Sequence, residues 1–428
     1  MIWPSHCLSI SSAMAGFWRS ESEGKQPIEN CNVSDSLLLM KFYAFSPQVS
    51  KHMLSGCDGK ESYVPFELTD QQDEVTKLKR TSFILGRSGT GKTTVIVMKL
   101  VRRQQMHHLA SEGLHEIDRK QASNVLRQMF VTVNPRLCHT VKQQISRLNR
   151  FTCGVDKVEN IETDVDEMEE SPDFSDIPDS FLDLPSSSFP LVITYNKLLM
   201  MLDGTVGRSF FMQFADVKAV SHQTSKSSVI QTLIKTKEVT YRKFLSSYWT
   251  HFDQRLTRLL DPSTVFFEIR SYIKGSRQGV ASDGVLKRED YVQLPDKHWY
   301  TLSRSQREGI YDLYKKYEKL RHDYGEFDLG DLVTDLHRRL SRDSSACRLM
   351  DFVYVDEVQD LTLNQISLLK FISPNLADGY VFAGDTAQAI AKGVHFRFQD
   401  IRSLYYKEFI MQDSESSYEK KGLIDPLY

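Results

Sequence analysis

Five short apolar runs punctuate the chain: SFIL (82–85), MFVTV (129–133), LVIT (191–194), FVYV (352–355) and YVFA (380–383). None alternates cleanly between polar and apolar positions. Near-continuous runs of this kind suit strands buried on both faces of a parallel sheet. Helical periods lie between them. TTVIVMKLVRRQQ follows the first run directly, which predicts a strand, a glycine loop and then a helix. In REGIYDLYKKYEKLRHDY, residues Ile310, Leu313, Tyr314, Tyr317 and Leu320 repeat at i, i+3, i+4 and i+7, a stripe suited to core packing. Residues 205–345 read as mostly helical. LLLMKFYAF (37–45) suits either a strand or a short helix, and residues 1–60 carry no motif. No internal repeat is visible.

Composition narrows the class without naming a task. The 428 residues suffice for two or three domains, and 40% hydrophobic residues can fill a sizeable core. The formal net charge is −2, so global charge gives no sign of nucleic-acid binding, and any basic surface must be local. Cys7, Cys31, Cys57, Cys138, Cys153 and Cys347 are scattered with no CxxC pair, which argues against a structural zinc site and a disulfide scaffold alike. A reducing, intracellular setting (nucleus or cytoplasm) is expected, with no membrane partner, because no signal peptide or membrane-length apolar run is seen. Residues 155–183 hold twelve Asp or Glu against one Lys, so this block is expected to be a solvated, disordered loop.

One stretch carries explicit chemistry. Gly86-Arg87-Ser88-Gly89-Thr90-Gly91-Lys92-Thr93 fits GxxxxGK[ST] without exception, and Thr94 opens the helix behind it. Glycines allow backbone N–H groups to close around phosphate oxygens, and the helix that follows offers its positive end. Lys92 is expected to reach the β- and γ-phosphates of ATP, and the Thr93 hydroxyl to ligate Mg2+. A chance match in a glycine turn is the alternative, and the flanking strand and helix argue against it.

Asp356 and Glu357 end the apolar run FVYV within DEVQD. At the carboxyl end of a parallel strand, such a pair faces the nucleotide crevice. Asp356 is expected to hold the metal and Glu357 to orient and deprotonate the attacking water. A glutamate beside the metal-binding aspartate favours hydrolysis over transfer to a substrate hydroxyl. That moves the balance from a kinase towards an ATPase without excluding a switch, and DEVQD together with GDTAQ (384–388) disfavours a small-molecule kinase.

Taken together, the glycine loop, DEVQD, Gly384-Asp385-Thr386-Ala387-Gln388 after the last apolar run, and LTDQQ (68–72) upstream resemble superfamily 1 helicases of the UvrD/Rep type. Within that family the chain looks most like the UvrD-like segment of large eukaryotic proteins, plant ones and the TPR and ankyrin repeat-containing type. Those show similar FELTD, FILGRSGTGKTT and KGVxFRF phrases. The resemblance covers roughly residues 66–409. It implies that Gln72 reads the adenine edge and that FVTVNPRL (130–137) touches single-stranded DNA or RNA. It also implies that FDLGDL (327–332) is the family's short acidic motif, and that Gln388 joins the γ-phosphate to the strand path. Thr132, Asn134 and Arg136 are the residues expected to meet nucleic acid. Arg127, Lys142, Arg147 and Arg150 are further basic groups, each equally suited to a solvated helix face.

The expected architecture is α/β: a RecA-like, P-loop NTPase parallel sheet with a long, mainly helical insertion. About 260 residues separate Lys92 from Asp356, far more than a bare sheet needs, and the family inserts a helical subdomain there. The expected division is an N-terminal extension (1–60), a first part of the ATP-binding domain (61–153), an acidic, disordered loop (154–190), an inserted helical subdomain (191–325), a second part of the ATP-binding domain (326–410) and a tail (411–428). Ala391 replaces the aromatic that the family usually carries after Gln388. His395, Phe396, Arg397 and Phe398 suit either base stacking or the core. The text ends at Tyr428, before a second RecA-like domain with its arginine fingers. Such a finger contributes roughly 10³–10⁵ in rate, so this chain is expected to bind ATP but to hydrolyse it weakly, with the second domain in cis in a longer product or in trans. The function expected is that of an ATP-dependent helicase or translocase. The alternative is a nucleotide-dependent regulatory or binding module without unwinding activity.

Overall fold

Five parallel strands form one sheet in the order β1-β5-β4-β2-β3. They are β1 (Ser82–Leu85), β2 (Gln128–Thr132), β3 (Leu191–Thr194), β4 (Phe352–Val355) and β5 (Tyr380–Gly384). The computed structural model describes residues 68–112, 125–153, 176–214, 226–258, 260–276, 284–294, 302–342, 347–385 and 398–411. The expectations for 37–45, for Gln388 and for residues 391–397 fall outside them, as does the side chain of Phe398.

The apolar runs become strands because both faces of the sheet are covered. Side chains alternate along a strand, and the two sets enter different cores. Met129, Val131, Val353, Val355 and Phe382 join one cluster with helices α4 (Tyr195–Val206), α6 (Leu329–Leu340), α7 (Leu363–Leu368) and α8 (Phe398–Tyr405). Phe130, Tyr354, Val192, Val381 and Ala383 join the other, against α1 (Asp70–Lys77), α2 (Lys92–Glu112) and α3 (Pro135–Cys153). A strand sandwiched in this way has no solvent face on which to show polar alternation.

A third, aromatic-rich cluster runs from Val239 to Tyr317 and is built around α5 (Arg304–Asp323). The apolar stripe Ile310, Leu313, Tyr314 and Tyr317 is buried there, as its period requires. β3 belongs to the sheet although it lies within the span 191–325 expected to be helical insertion, and the third cluster begins only at Val239. The end of the acidic block is also built in rather than solvated. Ile177 and Phe181 are buried in the first cluster, and Lys197 donates to Asp179 Oδ1 at 2.7 Å. Apolar residues spaced among the acids give that segment something to bury, which its net charge conceals.

FDLGDL joins insertion to sheet. Phe327 packs edge-on against Phe210 and Phe211. Its backbone bonds both sides of the junction, accepting from Val239 N at 2.8 Å and donating to Lys237 O at 3.2 Å. Asp328 caps α6 in a reciprocal box with Asp331. The buried Lys274 ammonium donates to Asp328 (2.6 Å), Asp331 (2.7 Å) and Glu318 (2.9 Å). Burial opposes its charge, but the three carboxylates outweigh it and hold its pKa above the ordinary lysine value. Replacing Lys274 by Met leaves these carboxylates facing Arg321 alone. The expected loss is about 3–5 kcal/mol of unfolding free energy, read from urea denaturation.

Candidate nucleotide site

In a wholly parallel sheet every strand delivers its carboxyl end to the same edge. The order β1-β5-β4 therefore brings the loop after β1 and the acids after β4 to one crevice, with the end of β5 between them. The glycine loop leaves β1 and enters α2. Gly89 and Gly91 have φ of +78° and +79°, a left-handed backbone in which a side chain is strained. A Cβ at Gly86 would lie 2.4 Å from Thr90 Oγ1, so the turn closes only around a hydrogen. Lys92 is buried, and its Nζ donates to Gly86 O (2.9 Å) and Arg87 O (3.0 Å), which holds the ammonium across the loop's inner side. The Arg87 carbonyl also accepts from Thr90 Oγ1 at 2.8 Å. Arg87 and Ser88 are exposed on the outer rim, and Thr94 is half-buried in the first turn of α2.

Thr93 Oγ1 donates to Asp356 Oδ2 at 2.6 Å, bridging 263 residues of sequence. A hydroxyl and a carboxylate oxygen meeting at the mouth of a glycine loop are the hard oxygen donors that suit magnesium, so the donor set fits that ion. Asp356 is fully buried, and burial pushes its carboxyl up to about 6; the Thr93 hydrogen bond opposes the rise and the Glu357 charge adds to it. Glu357 takes φ 54° and ψ 43°, an uncommon left-handed conformation for a residue with a side chain. That turn sends it away from the strand direction. Its N–H donates to Asp356 Oδ1 at 3.0 Å, and its carboxylate accepts from Gln359 Nε2.

Gln359 is the participant that sequence reasoning missed. Its amide holds Glu357 on one side, while its Oε1 accepts from Asp385 N at 3.0 Å on the other. It therefore ties the end of β4 to the end of β5. The signal was its place inside DEVQD, where only the acids received roles. Lys274 was missed as well, since nothing in its local sequence marks it as the partner of FDLGDL.

The expected adenine reader, Gln72, stands beside the loop. Its Oε1 accepts from Thr69 N (3.0 Å) in the capping box of α1, and its Nε2 donates to Thr90 O (3.4 Å). Among the expected strand contacts, Asn134 and Arg136 are exposed after β2, and Asn134 Oδ1 caps α3 through Arg136 N at 3.0 Å. Thr132 is different. It is buried and its Oγ1 accepts from Asn134 N at 3.4 Å, so it shapes the turn instead of facing solvent. Arg127 precedes β2, at the opposite edge of the sheet, and its N–H donates to Asp351. Lys142 lies 4.0 Å from Asp176.

Fold and site together define an α/β, RecA-like domain of the P-loop type. Residues 200–405 match the family described as UvrD/REP helicase N-terminal domain. The chain is also 27% identical over 337 residues to TPR and ankyrin repeat-containing protein 1 of Homo sapiens, an alignment covering 71% of this chain and 11% of that protein. The likeness to UvrD/Rep-type superfamily 1 helicases read from the motifs is thus borne out. The chain spans only a small part of that relative's length. Among the described residues no helix is long and apolar enough to cross a membrane.

The raised Asp356 carboxyl sets a pH dependence. The native state keeps a proton that the unfolded chain, with a value near 3.8, releases. The stability this group contributes is full below about pH 4 and is lost as pH rises through about 6. Asp356→Asn, which stays neutral, should raise unfolding free energy at pH 7 by about 3 kcal/mol and leave it nearly unchanged at pH 4, measured by chemical denaturation.

Proposed function

We propose that the chain supplies the ATP-binding half of a helicase or translocase that couples ATP hydrolysis to movement along single-stranded nucleic acid. The observation that carries this reading is the 2.6 Å contact between Thr93 and Asp356 at the mouth of the glycine loop. In this reading the backbone N–H groups of residues 86–92 wrap the phosphates, and Lys92 takes up charge on the β- and γ-phosphates. Thr93 and Asp356 hold magnesium, which when bound neutralises charge on the phosphate oxygens. Glu357 accepts a proton from the attacking water, and Gln359 keeps its carboxylate aimed. Gln72, already fastened to Thr90, holds the adenine edge against the loop.

Gln388, beyond Asp385, would relate the phosphate end to the strand, and Asn134 with Arg136 would meet the strand beyond β2. We assign residues 239–325 to an inserted helical subdomain, with the described parts of 68–153, 176–238 and 326–411 on the side of the sheet. Full hydrolysis then needs a second RecA-like domain, in cis or in trans, to close on the exposed side of the nucleotide.

Two substitutions and one assay test the reading. Lys92→Ala should abolish binding of a fluorescent ATP analogue. Glu357→Gln should keep that binding and reduce turnover at least tenfold, consistent with the roughly 10²–10⁴ contributed by general-base catalysis. ATPase rate should rise on adding single-stranded DNA or RNA. Tight ATP binding with no response to any strand would instead support the regulatory module.

A further inference from the structure

A groove of about 1120 Å³ lies apart from the nucleotide loop, between the end of α4, the outer half of α6 and the edge of the helical insertion. Its lining is polar, and most of its charge is spent internally. Lys274 and Arg321 serve Glu318, Asp328 and Asp331, while Glu326 pairs with Lys243 at 2.8 Å. Asp335 is shared by Arg338 and by Arg339, the latter at 2.8 Å. What remains is positive. Arg208 and Arg342 are exposed in the lining and have no ion pair among the described residues. The half-buried rings of Phe210 and Phe214 line the same groove.

The presentation of Arg208 is the second observation. Its φ is 47°, a left-handed backbone that disfavours a side chain and that glycine adopts freely. The surrounding turn is clamped into that shape. Arg339 donates to Gly207 O at 2.8 Å, Phe210 N donates to Asp203 Oδ1 at 2.8 Å, and Ser209 Oγ donates to the same buried carboxylate. Such strain persists only where neighbours over-determine it, and such sites gather where ligands bind. Asn364, in the helix just after DEVQD, also lines the groove, so the groove adjoins the segment that follows the acid pair.

We propose that this groove is a binding site for single-stranded nucleic acid, with phosphates against Arg208 and Arg342 and bases against Phe210 and Phe214. Unpaired cations interleaved with half-buried rings are the chemistry that holds a strand through its backbone and base faces. An acidic peptide would use the arginines but bring no base faces to the half-buried rings, which otherwise pack on each other and on Phe327. The site rests on the nucleic-acid reading above and adds a second contact region to the one at Asn134 and Arg136.

The test uses the full chain, fluorescent 20-nucleotide dT and rU oligonucleotides without ATP, and Arg208→Gly, Arg342→Ala and Arg136→Ala variants. Each groove variant should weaken binding several-fold and flatten the slope of log affinity against log salt by about 0.7. Arg208→Gly should at the same time keep or raise Tm, since glycine relieves the backbone, and binding of an ATP analogue should not change. Loss of binding with gain of stability separates a ligand contact from a structural arginine. Wild-type affinity and slope in both groove variants, with binding lost only in Arg136→Ala, would overturn the groove and leave the strand path at β2 standing. No oligonucleotide binding by the wild type would remove both. Binding of polyglutamate but not of oligonucleotide would assign the groove to an acidic polypeptide and overturn the proposal.

Discussion

The site depends on one meeting of oxygens, the Thr93 hydroxyl on the Asp356 carboxylate at 2.6 Å. Two residues 263 positions apart touch because both follow parallel strands of one sheet, with only β5 between those strands. Strands lie roughly 4.8 Å apart, so the first turn of α2 needs to reach across about 10 Å. Everything inserted between them in sequence must leave and return without disturbing that edge. The helical insertion therefore has its own core and meets the sheet side at Phe327 and Asp328 and again where Lys274 and Gly275 bond Asn364.

Two buried charges show opposite solutions to the same cost. Lys274 lies among three carboxylates, and their attraction more than offsets its desolvation. Asp356 is as deeply buried but has a hydroxyl and a backbone N–H as partners, with the Glu357 carboxylate close by. Its charge is left underpaired at neutral pH. A group kept in that condition is suited to a cation, and the stability it forgoes is available to binding. The lysine serves architecture and the aspartate serves the site.

The loop is braced from outside as well. α1 is fastened to it by Gln72, through Thr69 and Thr90. Lys99 in α2 donates its ammonium to the Val75 and Leu78 carbonyls at the end of α1, although burial, with Arg103 nearby, pushes its pKa down to about 7. The helix preceding β1 is thus held to the helix that follows the loop.

Much was legible in the residues themselves. Near-continuous apolar runs announced buried parallel strands, because a strand covered on both sides has no reason to alternate. Glycines at 86, 89 and 91 and the acids at 356 and 357 marked a candidate site because so tight a turn and a strand-end acid pair admit few other residues, and the strand order brings the two together. The helical stripe of 310–317 was visible because its period is local. Pairings across long distance were not visible. Lys274 finds Glu318, Asp328 and Asp331 only once the insertion folds back on its own junction. Gln359 gains a role only when β5 lies beside β4. Thr132 turned inward and Ile177 and Phe181 entered the core because of packing that their neighbours in sequence do not encode. Local patterns fix what a segment becomes; which distant side chains share a buried space is decided by the order of the strands.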